Sequence, residues 1–261
     1  MKTLTHAVLR HLAFVLLSGL MLIASSVQQA SAAALFGASQ NRLVTIDQTT
    51  GASIDIGATG FGSLASIAFA PSGVLFGASQ NRLVTVDPTT GATTDIGATG
   101  FGFLASIAFD PTGVLFAASG NRLWTIDLVT GAPTEIGVTG LGTGALFISM
   151  ASIAFNPAGE LFAVADNRLL RLDSMTGAAT DLGATGLGGL ASIAFEPDGE
   201  LFAAGGNRLM TLDPTTGART DIGATGFGNF ASISFRVPEP GALALLALGL
   251  AGLGWSRQRM T

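Results

Sequence analysis

A repeated pair of opposite charges is the clearest chemistry in this sequence. Each copy of an internal repeat contains Asn-Arg-Leu and places an acidic residue later in the same copy. The arginines are Arg42, Arg82, Arg122, Arg168 and Arg208, and the acids are Asp55, Asp95, Glu135, Asp181 and Asp221. A guanidinium binds a carboxylate or sulfate through two parallel hydrogen bonds. We therefore expect an ion pair within each repeat, with a ring of five sites for a carboxylated or sulfated glycan as the alternative.

A second set of acids stands just before a Thr-Gly or similar turn in every copy. Its members are Asp47, Asp87, Asp127, Asp173 and Asp213. No copy has the dense Asp/Asn ladder of a calcium loop. An aspartate at the first position of a turn accepts hydrogen bonds from nearby backbone N–H groups. We therefore predict turn caps here, and no metal site.

A glycine pattern, G-x-G-x-x-A, begins at Gly60, Gly100, Gly186 and Gly226. In a dinucleotide site this pattern opens a helix, whereas here a β-type Ala-Ser-Ile segment follows it. We expect packing between repeats from the bulky residue of each such connector, with carbohydrate stacking as the alternative. These residues are Phe61, Phe101, Leu187 and Phe227, together with Leu141 in the remaining connector.

The sequence offers little for catalysis. Beyond residue 32 it has no histidine, cysteine, tyrosine or lysine. A pair of carboxylates could still cleave glycosidic bonds, and a catalytic pair should depart from the repeat. Only a few charged residues do so, namely Asp166, Arg171, Glu160, Asp198 and Glu200. We expect no enzyme activity and no cofactor.

The elements that position these residues come from a repeat of about 40 residues, whose copies start near 35, 75, 115, 161 and 201. In the second copy, segments at 65–69, 75–79, 83–87 and 92–96 are short and β-type, and turn residues separate them. Four short antiparallel strands per repeat are typical of a propeller blade. No segment has an uninterrupted helical period, and a parallel β-helix would repeat at a shorter spacing.

We therefore predict an all-β fold, a five-bladed β-propeller over residues 33–236. This region begins on a second strand and ends on a first strand, so we expect residues 231–235 to pair beside residues 35–39 and close the ring. Closure of this kind leaves no free edge strand. The sequence resembles short-repeat bacterial β-propellers and, in blade count, five-bladed lectin propellers, although it has no shared sugar-binding motif. The six extra residues near Thr143–Ser149 are where a ligand-specific loop would be expected.

The first 32 residues read as a secretory signal peptide. A basic start, an apolar run at 12–24 and the small residues Ala30 and Ala32 predict cleavage after Ala32, with a retained anchor as the alternative. The chain has no cysteine and a net charge of −5. The domain that follows is acidic, so we expect no nucleic acid partner.

The last residues, 237–261, form a three-part tail. Val237-Pro238-Glu239-Pro240 precedes an apolar run at 241–255, and Arg257 and Arg259 follow. The run is short for a membrane span but can cross with arginines reaching the interface. This order resembles a PEP-CTERM sorting signal. The resemblance implies recognition by an exosortase in a Gram-negative bacterium, with transient anchoring in the inner membrane before delivery to the surface; an unprocessed anchor is the alternative.

Together these features predict an exported, non-enzymatic propeller of the cell surface or extracellular matrix. Such a protein would bind or organise exopolysaccharide or a biofilm. The alternatives are a glycan-binding, lectin-like propeller and, less favoured, a polysaccharide-cleaving enzyme.

Overall fold

The computed structural model describes residues 33–101, 106–140, 150–187, 192–228 and 230–236. In these ranges twenty strands form five antiparallel sheets of four strands each. The strands are β1 Ala34–Ser39, β2 Arg42–Ile46, β3 Ser53–Ala58, β4 Ser66–Phe69, β5 Leu75–Ser79, β6 Arg82–Val86, β7 Thr93–Ala98, β8 Ser106–Phe109, β9 Leu115–Ser119, β10 Arg122–Ile126, β11 Pro133–Val138, β12 Met150–Phe155, β13 Leu161–Ala165, β14 Arg168–Leu172, β15 Ala179–Ala184, β16 Ser192–Phe195, β17 Leu201–Gly205, β18 Arg208–Leu212, β19 Arg219–Ala224 and β20 Ser232–Arg236.

Each sheet is one blade. Blade 1 has the order β20-β1-β2-β3, and blades 2 to 5 are β4–β7, β8–β11, β12–β15 and β16–β19. The predicted five-bladed propeller and its closure are therefore confirmed. The closing strand β20 pairs antiparallel with β1 from Ala34↔Arg236 to Ala38↔Ser232. Because β20 completes blade 1, the first and last strands of the described chain lie side by side in one sheet.

Local sequence explains the hairpins. In the turn between β4 and β5, the Gly73 N–H donates to the Ala70 carbonyl at 2.8 Å, and Gly73 has φ of +81°. The next turn places Gln80 at φ +52°, in the left-handed region that tight hairpin turns require. The strand and turn boundaries predicted for the second repeat therefore agree closely with the structure.

The apolar core is divided among the blade interfaces. Five buried clusters each combine side chains of two neighbouring blades. At each interface a phenylalanine of a second strand meets one from the inner strand of the next blade, with ring centroids 4.9–5.3 Å apart. These pairs are Phe36–Phe69, Phe76–Phe109, Phe116–Phe155, Phe162–Phe195 and Phe202–Phe235. A blade therefore has no complete core of its own.

A ring of buried serines joins the inner strands. We call it the serine belt: Ser66, Ser106, Ser152, Ser192 and Ser232. Each hydroxyl oxygen accepts a hydrogen bond from the backbone N–H of an isoleucine in the next blade, at 2.9–3.1 Å. The cycle closes where Ser192 accepts from Ile233 of β20 at 2.9 Å. The belt satisfies backbone groups that strand pairing within a blade leaves unused.

Close backbone approach joins the outer strands as well. A Cβ at Gly97 would overlap the Thr130 carbonyl oxygen in the β10–β11 turn of the next blade. Gly57, Gly137, Gly183 and Gly223 face the corresponding turn in the same way. Glycine at this position therefore lets adjacent blades pack against each other.

Candidate functional site

The five predicted charge pairs form in the structure. Arg82 lies opposite Ala98, and a bulge after Leu83 brings Asp95 opposite Val84, diagonally within reach of the guanidinium. The Arg82 Nε donates to Asp95 Oδ1 at 2.6 Å. The other four pairs are Arg42–Asp55, Arg122–Glu135, Arg168–Asp181 and Arg208–Asp221.

These pairs lie at the end of the blades that carries the Asn-Arg turns, and their side chains are between one third and one half exposed. The hydrogen bond from Arg82 holds the pKa of Asp95 below its usual range. Each guanidinium thus already has an anionic partner in its own blade. This arrangement supports the structural interpretation of the arginines over an open ring of anion sites.

The second acid set caps turns as predicted. Asp47 Oδ1 accepts hydrogen bonds from the backbone N–H groups of Thr49 and Thr50 at 2.9 and 2.8 Å, and from both threonine hydroxyls. These bonds, the Thr49 hydroxyl first, lower the pKa of Asp47 to about 2. Among the described residues, no group of histidine and acidic side chains is arranged to hold a metal ion.

The glycine-rich connectors lead into strands. The connector at Gly60 is followed by β4, so no helix N-terminus is available there for a phosphate. Phe61 packs against the buried cluster between blades 1 and 2, and Phe101 meets Trp124 with centroids 5.0 Å apart. Leu187 and Phe227 also pack in interfaces. Inter-blade packing is confirmed at these four positions, and Leu141 lies outside the described residues.

The axis of the ring is narrow, and both polar backbone groups and apolar side chains face it. A cavity of about 130 Å³ is lined by the ends of the five inner strands, mainly by isoleucine, alanine and phenylalanine. Ser234 interrupts its alanines, and its Oγ accepts from the Phe69 N–H at 3.1 Å. This cavity offers apolar side chains, exposed backbone polar groups and one hydroxyl that is already hydrogen-bonded.

A larger groove lies between blades 4 and 5, at the end of the blades opposite the arginine pairs. We call it the blade 4–5 groove; its volume is about 450 Å³. Phe162, Leu182 and Phe195 line it, together with the turns that contain Pro157 and Pro214. Its charged lining residues are Glu160, Arg171 and Asp198.

Hydrogen bonds fix the acidic side of this groove. Asn156 Nδ2 donates to Glu160 Oε2 at 2.8 Å, and the Glu160 N–H donates to Asn156 Oδ1 at 2.8 Å. Arg171 lies 3.5 Å from Glu160 Oε1. Nearby, burial raises the pKa of Glu196, and the charges of Asp198 and Glu200 add to that effect.

One feature of the sequence indicates this groove, because its charged residues are three of the five named above as departures from the repeat. Sequence spacing alone does not show that they share a surface, so it makes them only weak candidates for catalysis. Of the other two, Glu200 accompanies Asp198, whose Oδ1 accepts from the Glu200 N–H at 3.1 Å. Asp166 lies in the β13–β14 turn, on the arginine side of the ring.

Several predicted sites lie outside the described residues. They include the signal cleavage residues Ala30 and Ala32, the insertion Thr143–Ser149, the sorting residues Val237, Pro238, Glu239 and Pro240, the apolar run 241–255, and Arg257 and Arg259. Across the part of the chain that is described, no helix is long and apolar enough to cross a membrane.

Comparison with known families gives a match confined to the tail. The family model described as the PEP-CTERM protein-sorting motif matches residues 236–258. The tail is a PEP-CTERM sorting motif. The match includes Val237–Pro240 and Arg257, and ends one residue before Arg259. The PEP-CTERM motif implies an exported protein that is anchored transiently in the membrane and processed by an exosortase.

The propeller is similar to solved structures in fold alone. One, described as "The de novo evolutionary emergence of a symmetrical protein is shaped by folding constraints", is 17% identical, with a TM-score of 0.56 over 79% of this chain and 99% of the other. A second, "Crystal structure of Nidogen/Laminin Complex", is 12% identical, with a TM-score of 0.53 over 78% of this chain and 98% of the other. None of the curated proteins compared with the chain matches it.

Proposed function

We propose that this PEP-CTERM protein is a non-enzymatic propeller of the bacterial cell surface or extracellular matrix, where it binds or organises exopolysaccharide. The observation that carries the proposal is the junction between ring and tail. The sorting motif begins at Arg236, which is the last residue of the closing strand β20. The sorting signal is therefore continuous with the ring, and its processing delivers the whole propeller.

The roles of the acidic residues support a binding or structural protein over an enzyme. Five aspartates cap turns and five acids pair with arginines of the same blade, so the repeated carboxylates are engaged in the framework. A glycosidase would need two carboxylates facing each other across a cleft, one of them free to act as an acid. The blade 4–5 groove has Glu160 and Asp198, but Glu160 is held by Asn156 and lies beside Arg171.

The proposed host follows from the tail. Exosortase sorting implies a Gram-negative bacterium that secretes polysaccharide, so an exported propeller meets that polymer at high local concentration. The ring carries partly exposed charged side chains at its ends, and such side chains can contact a polymer without cleaving it. The partners that we propose are therefore the sorting enzyme and the surface polysaccharide.

The test uses the full chain in its native host, with and without the sorting enzyme. We expect intact-mass analysis to give a product without Arg257 and Arg259 only when the enzyme is present, and fractionation to place that product with the surface or matrix. The same mass in both backgrounds would contradict processing. Release of soluble oligosaccharide from host polysaccharide by the purified protein would contradict a non-enzymatic role.

A further inference from the structure

The blade 4–5 groove departs from the symmetry of the ring. At the position of Arg171, the other four blades carry Thr45, Thr85, Thr125 and Thr211. At the position of Glu160, blades 2 and 3 carry Val74 and Val114, and blade 1 carries Ala34. Blade 5 has Glu200 there, but it lacks the arginine. At these two positions, which lie among the described residues in every blade, a carboxylate and a guanidinium therefore occur together only in blade 4.

We propose that the blade 4–5 groove binds a neutral saccharide segment of a polysaccharide. The inference rests on the proposed function, since it names the class of ligand that the exported ring would bind. Its volume of about 450 Å³ lies within the range of about 300–1,000 Å³ that is typical of ligand clefts. Glu160, Arg171 and Asp198 give this groove three charged side chains, whereas the equivalent positions in blades 1 and 2 are Ala34, Thr45 and Ser72.

The rim disfavours charged ligands because its opposite charges are already paired. A uronate or a sulfate would have to compete with Glu160 for Arg171 while facing Asp198, and an ammonium group would have to compete with Arg171 for Glu160. A hydroxyl group avoids both costs, because it donates to a carboxylate and accepts from a guanidinium. Hydrogen bonds to charged groups are about twice as strong as neutral ones. Both types of partner lie together here, since Arg171 is 3.5 Å from Glu160.

The groove is also suited to the apolar face of a sugar ring. Phe162 is buried and Phe195 is half-buried at its inner side, and their centroids lie 5.0 Å apart. Leu182 and the rings of Pro157 and Pro214 complete the apolar lining. Ligand pockets commonly combine such surface with a few polar groups that fix orientation. The Glu160 carboxylate is already oriented by the hydrogen bond that it accepts from Asn156 Nδ2 at 2.8 Å, so little side-chain freedom is lost when it binds a hydroxyl.

The guanidinium groups at the arginine end of the ring are held more closely by their carboxylates than Arg171 is by Glu160. Every guanidinium there pairs with a carboxylate thirteen residues away in the same blade. An anionic glycan would have to displace that carboxylate. The carboxylate has a high effective concentration because it belongs to the same chain as the guanidinium. The structure therefore assigns the saccharide to the opposite end from the one that the repeated arginines indicate.

The experiment titrates the full-length chain, in detergent micelles, with oligosaccharides of three charge classes by calorimetry. The neutral probes are maltohexaose, cellohexaose and mannohexaose. The acidic probe is oligogalacturonate, and the cationic probe is a chitosan oligosaccharide. A lysine-rich peptide tests the alternative of a basic protein partner. We expect saturable binding of at least one neutral probe and at least tenfold weaker binding of both charged probes.

Two variants test the location with residues that the repeat itself supplies. Glu160→Val with Arg171→Thr gives this groove the residue types of Val74 and Thr85 in blade 2, and Asp198→Ser copies Ser72. Each variant should fold, as circular dichroism and a thermal melt would show, and each should raise the Kd of the neutral probe at least tenfold. Arg82→Gln, at the other end of the ring, should leave that Kd unchanged.

Four outcomes would overturn the proposal: no binding of any neutral probe, tighter binding of an acidic or cationic probe, saturable binding of the peptide in the groove, or loss of binding in Arg82→Gln with retention in both groove variants. None of these outcomes alters the mass and fractionation result that tests surface delivery. Failure of the groove and failure of the proposed function are therefore distinguished.

Discussion

Replacement of Ser192 by alanine tests how the ring is closed. Ser192 is buried, and its Oγ accepts from the Ile233 N–H at 2.9 Å across the interface between blade 5 and β20. Alanine fills nearly the same space but offers no acceptor. The Ile233 N–H would remain buried without a partner, because the interface has no room for bulk water. Such a group costs about 1–3 kcal/mol.

The contact between Ser192 and Ser152, 3.4 Å apart, is lost in the same variant. We therefore expect Ser192→Ala to lower the free energy of unfolding by about 2 kcal/mol. For a domain of this size, that change corresponds to a fall in Tm of about 4–8 °C. The measurement is urea unfolding of the full chain in detergent, followed by far-ultraviolet circular dichroism, with a thermal melt beside it.

The matched control is Ser72→Ala, because Ser72 is an exposed turn residue and Ala158 occupies the equivalent position in blade 4. Its effect should stay within about 0.5 kcal/mol. Equal midpoints for Ser192→Ala and Ser72→Ala would refute the reasoning that the serine belt stabilises the ring. A lower m-value in Ser192→Ala alone would indicate that β20 detaches before the rest unfolds.

Three further predictions concern the outer strands, the charge pairs and pH. Gly97→Ala should lower the free energy of unfolding by at least about 2 kcal/mol in the same assay, because the Cβ of the alanine would overlap the Thr130 carbonyl oxygen. An unfolding midpoint equal to that of wild type would show that the two blades can move apart at this contact. Asp95→Asn should lower the free energy of unfolding slightly, and less in high salt, because its pair with Arg82 is more than one third exposed; no loss at low salt would count against a structural role. The free energy of unfolding should fall as the pH drops from about 4 toward 2, because folding lowers the pKa of Asp47 from 3.8 to about 2. The stabilisation from Asp47 is complete above its pKa in the unfolded chain and is lost when the carboxylate of the folded protein is protonated. Acid titrations of wild type and Asp47→Asn that coincide would contradict this prediction.

Much of the architecture follows from local sequence because a propeller repeats its turns. Each Pro-containing turn has a glycine near its end, and each Thr-Gly turn is preceded by an aspartate. These short patterns specify the hairpins locally. The incomplete first and last copies also predicted closure, since only β20 can supply the missing inner strand beside β1. The sorting tail was recognisable because its three parts are adjacent in the chain.

The contacts between blades could not be obtained in this way. The serine belt joins residues such as Ser66 and Ile107, 41 positions apart, and Ile67 and Ser232, 165 positions apart. The Ala-Ser-Ile copies were visible in the sequence, but only the ring shows that each hydroxyl faces a backbone N–H of the next blade. The same holds for Gly97, whose need for glycine arises from a turn in a neighbouring blade.

The sequence by itself determined the repeat, the blade, the number of blades and the sorting tail, because each depends on residues that are near one another in the chain or recur at a fixed spacing. Only the tertiary structure decided which charged residues share a surface. Arg171 and Glu160 are held together by strand pairing within blade 4, and Asp198 reaches the same groove because blade 5 packs against it. The repeated arginines pair within their own blades, as the sequence predicted, because an extra residue in each outer strand, such as Ile96 between Asp95 and Gly97, brings the acid within reach.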